Sequence, residues 1–137
     1  MRLYRHIQEF ENALADWERY QSISEGRLFS DRDIRNMVFH AMMISIQSSI
    51  DIASDIIADE KLEKPGSYRE AFEILGTNGI ITEEMVQGLA DLAGFRNILV
   101  HRYGDLDIEQ VYMILQEDLV VLKAYFVAIR TYLQKKK

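Results

Sequence analysis

Arg96, His101 and Tyr103 sit close together in the stretch Arg96-Asn97-Ile98-Leu99-Val100-His101-Arg102-Tyr103. An arginine guanidinium is a planar fork of donors that matches a phosphate or carboxylate. A histidine titrates near neutrality and suits proton transfer. Arg96 is also out of place by pattern. Met85, Leu89, Leu92, Arg96, Leu99 and Tyr103 follow one another at steps of three or four, one helical face. Arginine is seldom buried without a partner, because taking its charge out of water is costly. Two readings follow: a structural ion pair or a side chain snorkelling from the edge of the face, or a group held ready for an outside anion.

His101 lies five positions after Arg96. On a straight helix the two side chains point ~140° apart. They converge only if the helix ends near Val100 or if a second copy of the chain completes the site. A histidine at a helix C-terminus has a plainer role as a partner of the helix dipole. Tyr103 lies on the Arg96 line, ~20° off it.

A candidate partner comes from an upstream segment. His40, Ile44, Gln47 and Asp51 mark a partly polar line through a very apolar helix, and Asp51 stands between Ile50 and Ile52. Asp51 is expected to pair with Arg96 or Arg35 inside the fold, or to orient a catalytic Arg or His; the two readings are compatible. His6, His40 and His101 have no metal-ligand spacing, and neither a Gly-rich phosphate loop nor a nucleophile elbow is present. No metal and no cofactor is expected. Tyr4, Tyr20, Tyr68, Tyr112, Tyr125 and Tyr132 read as packing or rim residues, and Trp17 as core.

The elements that carry these residues read as helices. The chain has 137 residues, one proline, seven glycines and no cysteine. That length suits a single domain over residues 1–137. Without cysteine there are neither disulfides nor thiolate metal sites. The apolar period stays near 3.6, which predicts an all-α up-and-down bundle of about five helices. The first covers Leu3 to Gln21, with Leu3, Ile7, Phe10, Leu14 and Trp17 on one stripe. Ser24 to Ser30 reads as a loop. A long buried helix covers Arg32 to Glu60, with Pro65-Gly66 as its breaker. Ser67 and Glu70 form a capping box for a short helix to Leu75. Thr82 opens the motif helix, which runs to Val100 or Tyr103 with Gly104 as its stop. Asp107 caps a last helix ending near Gln134.

The formal net charge of −6 argues against binding nucleic acid through bulk electrostatics, and leaves room for a local basic site. Arg96, Arg102 and Arg35 would form one. Residues 135–137, three lysines, read as a basic tail or a solvated helix end. The start at Met1-Arg2-Leu3-Tyr4-Arg5-His6 shows no signal-peptide pattern. No apolar run approaches the ~20 residues of a membrane helix, so a reducing cytoplasm and no membrane are expected.

The block R-N-I-L-V-H-R-Y over 96–103 resembles the signature of HEPN ribonucleases, and its R-x4-H-x-Y form looks like that of the HepT-like toxins. IQSSIDIASDIIAD, SYREAFEILGTNGII and LAGFRNILVHRYGDLD resemble successive segments of that family in the same order. R-x4-H alone recurs by chance; the ordered block is specific. The resemblance implies a homodimeric HEPN bundle whose two motifs face each other across a cleft. It implies metal-independent cleavage of RNA, tRNA or mRNA, by Arg96 and His101. Asn97 would position them, with Asp51 and Arg102 in support. It further implies a partner, an MntA-like nucleotidyltransferase antitoxin, that silences the toxin by placing AMP on Tyr103. The competing expectation is a non-catalytic HEPN bundle that docks to such a nucleotidyltransferase.

Overall fold

The computed structural model describes residues 2–136. Among the described residues there are seven α-helices, one 3-10 turn and no strand. In chain order the helices are α1 Arg2–Tyr20, α2 Glu25–Ser30, α3 Arg32–Asp59, α4 Tyr68–Thr77, α5 Glu83–His101, α6 Ile108–Glu117 and α7 Leu119–Lys136; the 3-10 turn Tyr103–Asp105 follows α5.

Local chemistry sets the starts. Ser24, Ser67 and Thr82 each accept from the backbone N–H three residues on. Asp31 accepts from Asp33 and Ile34, and Asp107 from Glu109. Such side-chain acceptors satisfy amides that the first turn leaves without a partner. At Ser67 the cap bond forms on Glu70 N.

The all-α bundle matches the sequence pattern, with three local differences. The segment expected as a loop before Arg32 folds into α2, a short helix that sinks Leu28 into the core. The long helix α3 ends at Asp59, where the pattern puts it, but the stop comes at Lys61, ahead of the expected breaker Pro65-Gly66. Lys61 takes a left-handed φ of 55°, and Leu62 N donates to Ile57 O at 2.9 Å, closing the end. The last predicted helix is two helices, divided at Asp118. The division leaves the Leu115 carbonyl to other donors: the Trp17 indole at 2.8 Å and the Gln21 amide at 3.0 Å. Those bonds tie the end of α1 to the bend.

The core is continuous. Phe10, Trp17, Met42, Ile46, Phe72, Leu89, Leu115 and Tyr125 are among its buried members. Trp17 is core, as its place on the α1 stripe predicts. The α3 helix is the central element, packed against α1, α2, α4 and α5. By length and composition it is apolar enough to cross a membrane, but 67% of its most apolar window is buried inside the bundle. That apolarity serves the core. Tyr125 is sealed off from solvent, and its hydroxyl donates to Ser49 O at 2.9 Å. Burial, then the nearby Asp55, raises the Tyr125 phenol well above its ordinary range. Close approach needs Gly88: a Cβ there would lie 2.9 Å from Val121 Cγ2, so α5 and α7 could not meet as they do.

At the C-terminus, Lys136 and the Tyr132 hydroxyl both bond Glu60 Oε1. The terminal lysines therefore begin as the last turn of α7 docked on the end of α3. Lys137 lies outside the described residues.

Candidate active site

The motif occupies the C-terminal half of α5 and the turn beyond it. Helix α5 continues through His101, and Arg102 N donates to Ile98 O at 2.9 Å to close it. An early end near Val100 is therefore not how Arg96 and His101 meet. Both lie on one regular helix, and their ~140° divergence stands within a single chain. His101 is exposed and makes no hydrogen bond among the described residues.

Arg96 is half-buried at the edge of the apolar face formed by Leu89, Leu92 and Leu99. Its Nη1 donates to Asn97 Oδ1 at 3.2 Å, and its guanidinium carbon stands 6.0 Å from the Tyr68 ring centroid. Its Nε is buried with no hydrogen-bond partner. No carboxylate reaches it among the described residues. Among the described residues there is thus no structural ion pair to explain this arginine, and a buried donor is left without a partner.

Tyr103 does not continue the α5 line, because the helix ends before it. The 3-10 turn swings it onto α3 instead. Its hydroxyl donates to Asn36 Oδ1, and its ring meets Phe39 edge-on at 5.5 Å between centroids. The tyrosine is 47% exposed, so it is anchored yet reachable.

The expected basic cluster is smaller than its composition. Arg102 is held by Asp105, at 3.3 Å from both Nε and Nη2. Arg35 spends its Nη1 on Phe29 O at 2.6 Å. Of these three arginines, Arg96 alone has a buried polar atom without a partner among the described residues.

Asp51 pairs with neither Arg96 nor Arg35. Gln47 Nε2 donates to its Oδ1 at 2.9 Å, and its Oδ2 is 4.0 Å from His6 Nε2. The buried acid of this helix is Asp55, one turn on. It takes Arg2 Nε at 2.9 Å and His6 Nδ1 at 2.5 Å. This network ties α1 to α3. Its physical reason is packing: Asp51 and Asp55 lie on the face of α3 that docks α1, where His6 approaches both and Arg2 reaches Asp55. Gln47 keeps its Oε1 buried and unpartnered, a second orphan on the half-exposed strip of α3 that also carries Met43 and Ile44.

Two residues of the site carry no motif of their own, Asn36 and Tyr68. Asn36 was legible as a residue one turn before His40 on the polar line of α3. Tyr68 was legible only as a cap-adjacent aromatic. Asp55 could have been found as the residue four after Asp51. Among the described residues no cluster of His, Asp and Glu could hold a metal ion.

An all-α bundle built around a long core helix, with a half-buried Arg96 and an exposed His101 towards the end of α5, is the arrangement that the HEPN resemblance implies. The profile described as "Ribonuclease HepT-like" matches residues 10–129, so this chain belongs to the HepT-like ribonuclease family. It is 34% identical to the "tRNA nuclease HepT" of Aphanizomenon flos-aquae, over 93% of this chain and 80% of that protein. It is 31% identical to the "mRNA nuclease HepT" of Shewanella oneidensis, over 72% of this chain and 75% of that one. The fold is similar to that of the tri-AMPylated Shewanella oneidensis HEPN toxin in complex with MNT antitoxin, with a TM-score of 0.85 at 23% identity, covering 94% of this chain and 96% of that one.

Proposed function

We propose that this chain is the toxin of a HepT–MntA-type toxin–antitoxin pair, an endoribonuclease in which Arg96 and His101 do the chemistry. The observation that carries the reading is the Arg96 guanidinium, half-buried with Nε unpartnered, on the same helix end as an exposed His101. RNA brings its own nucleophile, the 2′-hydroxyl. His101 takes its proton, the 2′-oxygen attacks the adjacent phosphorus, and the 5′-oxygen leaves with a proton. A 2′,3′-cyclic phosphate is the product. Arg96 holds the phosphate oxygens and stabilises the charge that grows on them. Asn97, bonded to Arg96, fixes the guanidinium. Arg102 supports the site electrostatically, and Asp51 indirectly, through the α1–α3 network.

Two copies of the chain complete the site. The motif residues of one chain diverge, and a facing copy supplies the second arginine and histidine. Gln47 Oε1 and Arg96 Nε, orphaned in the monomer, and exposed Met37 and Val100 belong to that face. A stable dimer by light scattering is expected; a monomer at all working concentrations ends this part.

The partner is an MntA-like nucleotidyltransferase that uses ATP. The Tyr103 oxygen attacks the α-phosphorus, pyrophosphate leaves, and the phenolic proton is lost. An adenylate on this anchored tyrosine adds charge and bulk beside the motif. RNA and ATP place the pair in the cytoplasm. The chain as a single domain over residues 1–137 fits this assignment.

The test compares wild type with Arg96→Ala and His101→Ala on total RNA and on tRNA without metal. Loss of cleavage in both variants, with a cyclic phosphate end in wild type, is expected. Equal cleavage by all three sinks the enzyme. The divergence of Arg96 and His101 favours the second reading, a docking subunit without catalysis. That reading holds if wild type cleaves nothing yet still accepts AMP.

A further inference from the structure

An open groove of about 600 Å³ runs beside the motif, between α3, the α3–α4 loop, α4 and α5. Its volume falls in the range of ligand clefts. Asn97, Tyr68 and Arg69 are among the residues that line it. Its α5 wall is made of small residues, Ala90, Ala93 and Gly94, which leave room for a flat ligand. A Cβ built on Gly94 meets nothing within 4 Å, so that space is empty.

Three observations give the groove a chemistry. The Tyr68 ring is 38% exposed, and the Arg96 guanidinium stands over it. An aromatic face with a cation beside it is a stacking platform for a nucleobase. Arg69 is only loosely held: its Nη2 is 3.7 Å from Asp91, which is 78% exposed, and its Nη1 donates to Gln87 Oε1 at a long 3.4 Å. It is free to turn to a phosphate at little cost, because such surface pairs contribute little. The groove also continues directly into the motif through Asn97, which is bonded to Arg96.

We propose that this groove binds the single-stranded RNA flanking the cut phosphate: a base stacks on Tyr68, and Arg69 contacts the next phosphate. The inference rests on the ribonuclease reading above and adds its substrate subsite. The strand then enters along α4 and delivers its phosphate to Arg96. Stacking tolerates every base, so preference at this subsite is for unpaired RNA more than for sequence. That accounts for how a chain of net charge −6 takes a polyanion: through a short, local track.

The test uses the full chain in the His101→Ala background, which blocks cleavage. A fluorescein-labelled unstructured oligoribonucleotide is titrated at several salt concentrations and read by anisotropy. Gly94→Trp fills the groove and Gly94→Ala is its control. Tyr68→Ala and Arg69→Ala remove the platform and the phosphate contact, and thermal melts check that each variant folds. Gly94→Trp and Tyr68→Ala should each weaken binding by roughly tenfold or more, with Gly94→Ala within about twofold. Arg69→Ala should lower the salt slope by about 0.7. If Gly94→Trp and Tyr68→Ala bind RNA like their parent while Arg96→Ala abolishes cleavage by the otherwise intact enzyme, the groove proposal falls and the ribonuclease reading stands. If the parent binds no RNA and wild type cleaves none, the ribonuclease reading falls and the groove with it. If Gly94→Trp keeps RNA binding but loses dimerisation or AMP transfer, the occupant is a protein and the proposal is overturned.

Discussion

Arg96→Met asks whether Arg96 is there for the fold or for a ligand. Methionine keeps most of the side-chain length and its apolar contact, and removes the guanidinium. Three terms decide the change in stability. The contact with Tyr68, exposed on one side, contributes about 0.5–1 kcal/mol. The 3.2 Å bond to exposed Asn97 contributes about 0.5 kcal/mol. Against these, Nε is buried with no partner, and an unsatisfied buried donor costs about 1–3 kcal/mol. The losses total about 1–1.5 kcal/mol and the gain about 1–3. Arg96→Met is therefore expected to be as stable as wild type or up to about 2 kcal/mol more stable. For a domain of this size that is a Tm rise of up to about 7 °C. The assay is thermal unfolding by circular dichroism at two protein concentrations, because association alone shifts Tm. RNA cleavage is followed on the same samples. A stabilised or neutral protein without activity is the signature of a group kept for function. A Tm fall of more than about 4 °C refutes the reasoning: Arg96 would then be a structural residue whose burial is compensated.

Two further outcomes follow from the same geometry. Asn36→Leu removes the acceptor of the Tyr103 hydroxyl and should slow AMP transfer by a nucleotidyltransferase by about tenfold, read as intact mass against time; transfer at the wild-type rate would show that Asn36 does not hold the acceptor. Burial, then Glu117 and Asp91, raises the Asp118 carboxyl above its ordinary value, so the folded state holds that proton more tightly than the unfolded chain. Its contribution favours folding at low pH and is lost as pH rises through the raised value. Asp118→Asn should therefore raise Tm at neutral pH, with the gain vanishing below about pH 4; a difference constant across pH would contradict the assignment.

The sequence by itself determined the helices and the motif. Periodicity gave the apolar stripes of α1 and α5, overall apolarity marked α3 as buried, and side-chain acceptors at Ser67, Thr82 and Asp107 marked starts where the structure has them. These are local properties, decided by spacing and by nearest amides. Arg96 stood out for the same reason, as a charge in an apolar series. What α3 does with its acids was not local. Asp51 and Asp55 look alike along the chain, and only the docking of α1 decided that Arg2 and His6 would meet Asp55. The break at Asp118 belongs to this class too, since it holds because Trp17 and Gln21, far away in sequence, take the Leu115 carbonyl. Tyr103 shows the division most clearly. Its place in the motif could be read from the chain, but its position could not, because the helix ends at His101 and a turn carries the ring to Asn36 and Phe39. A helical wheel extends only as far as the helix, and tertiary contacts decide where the chain goes next.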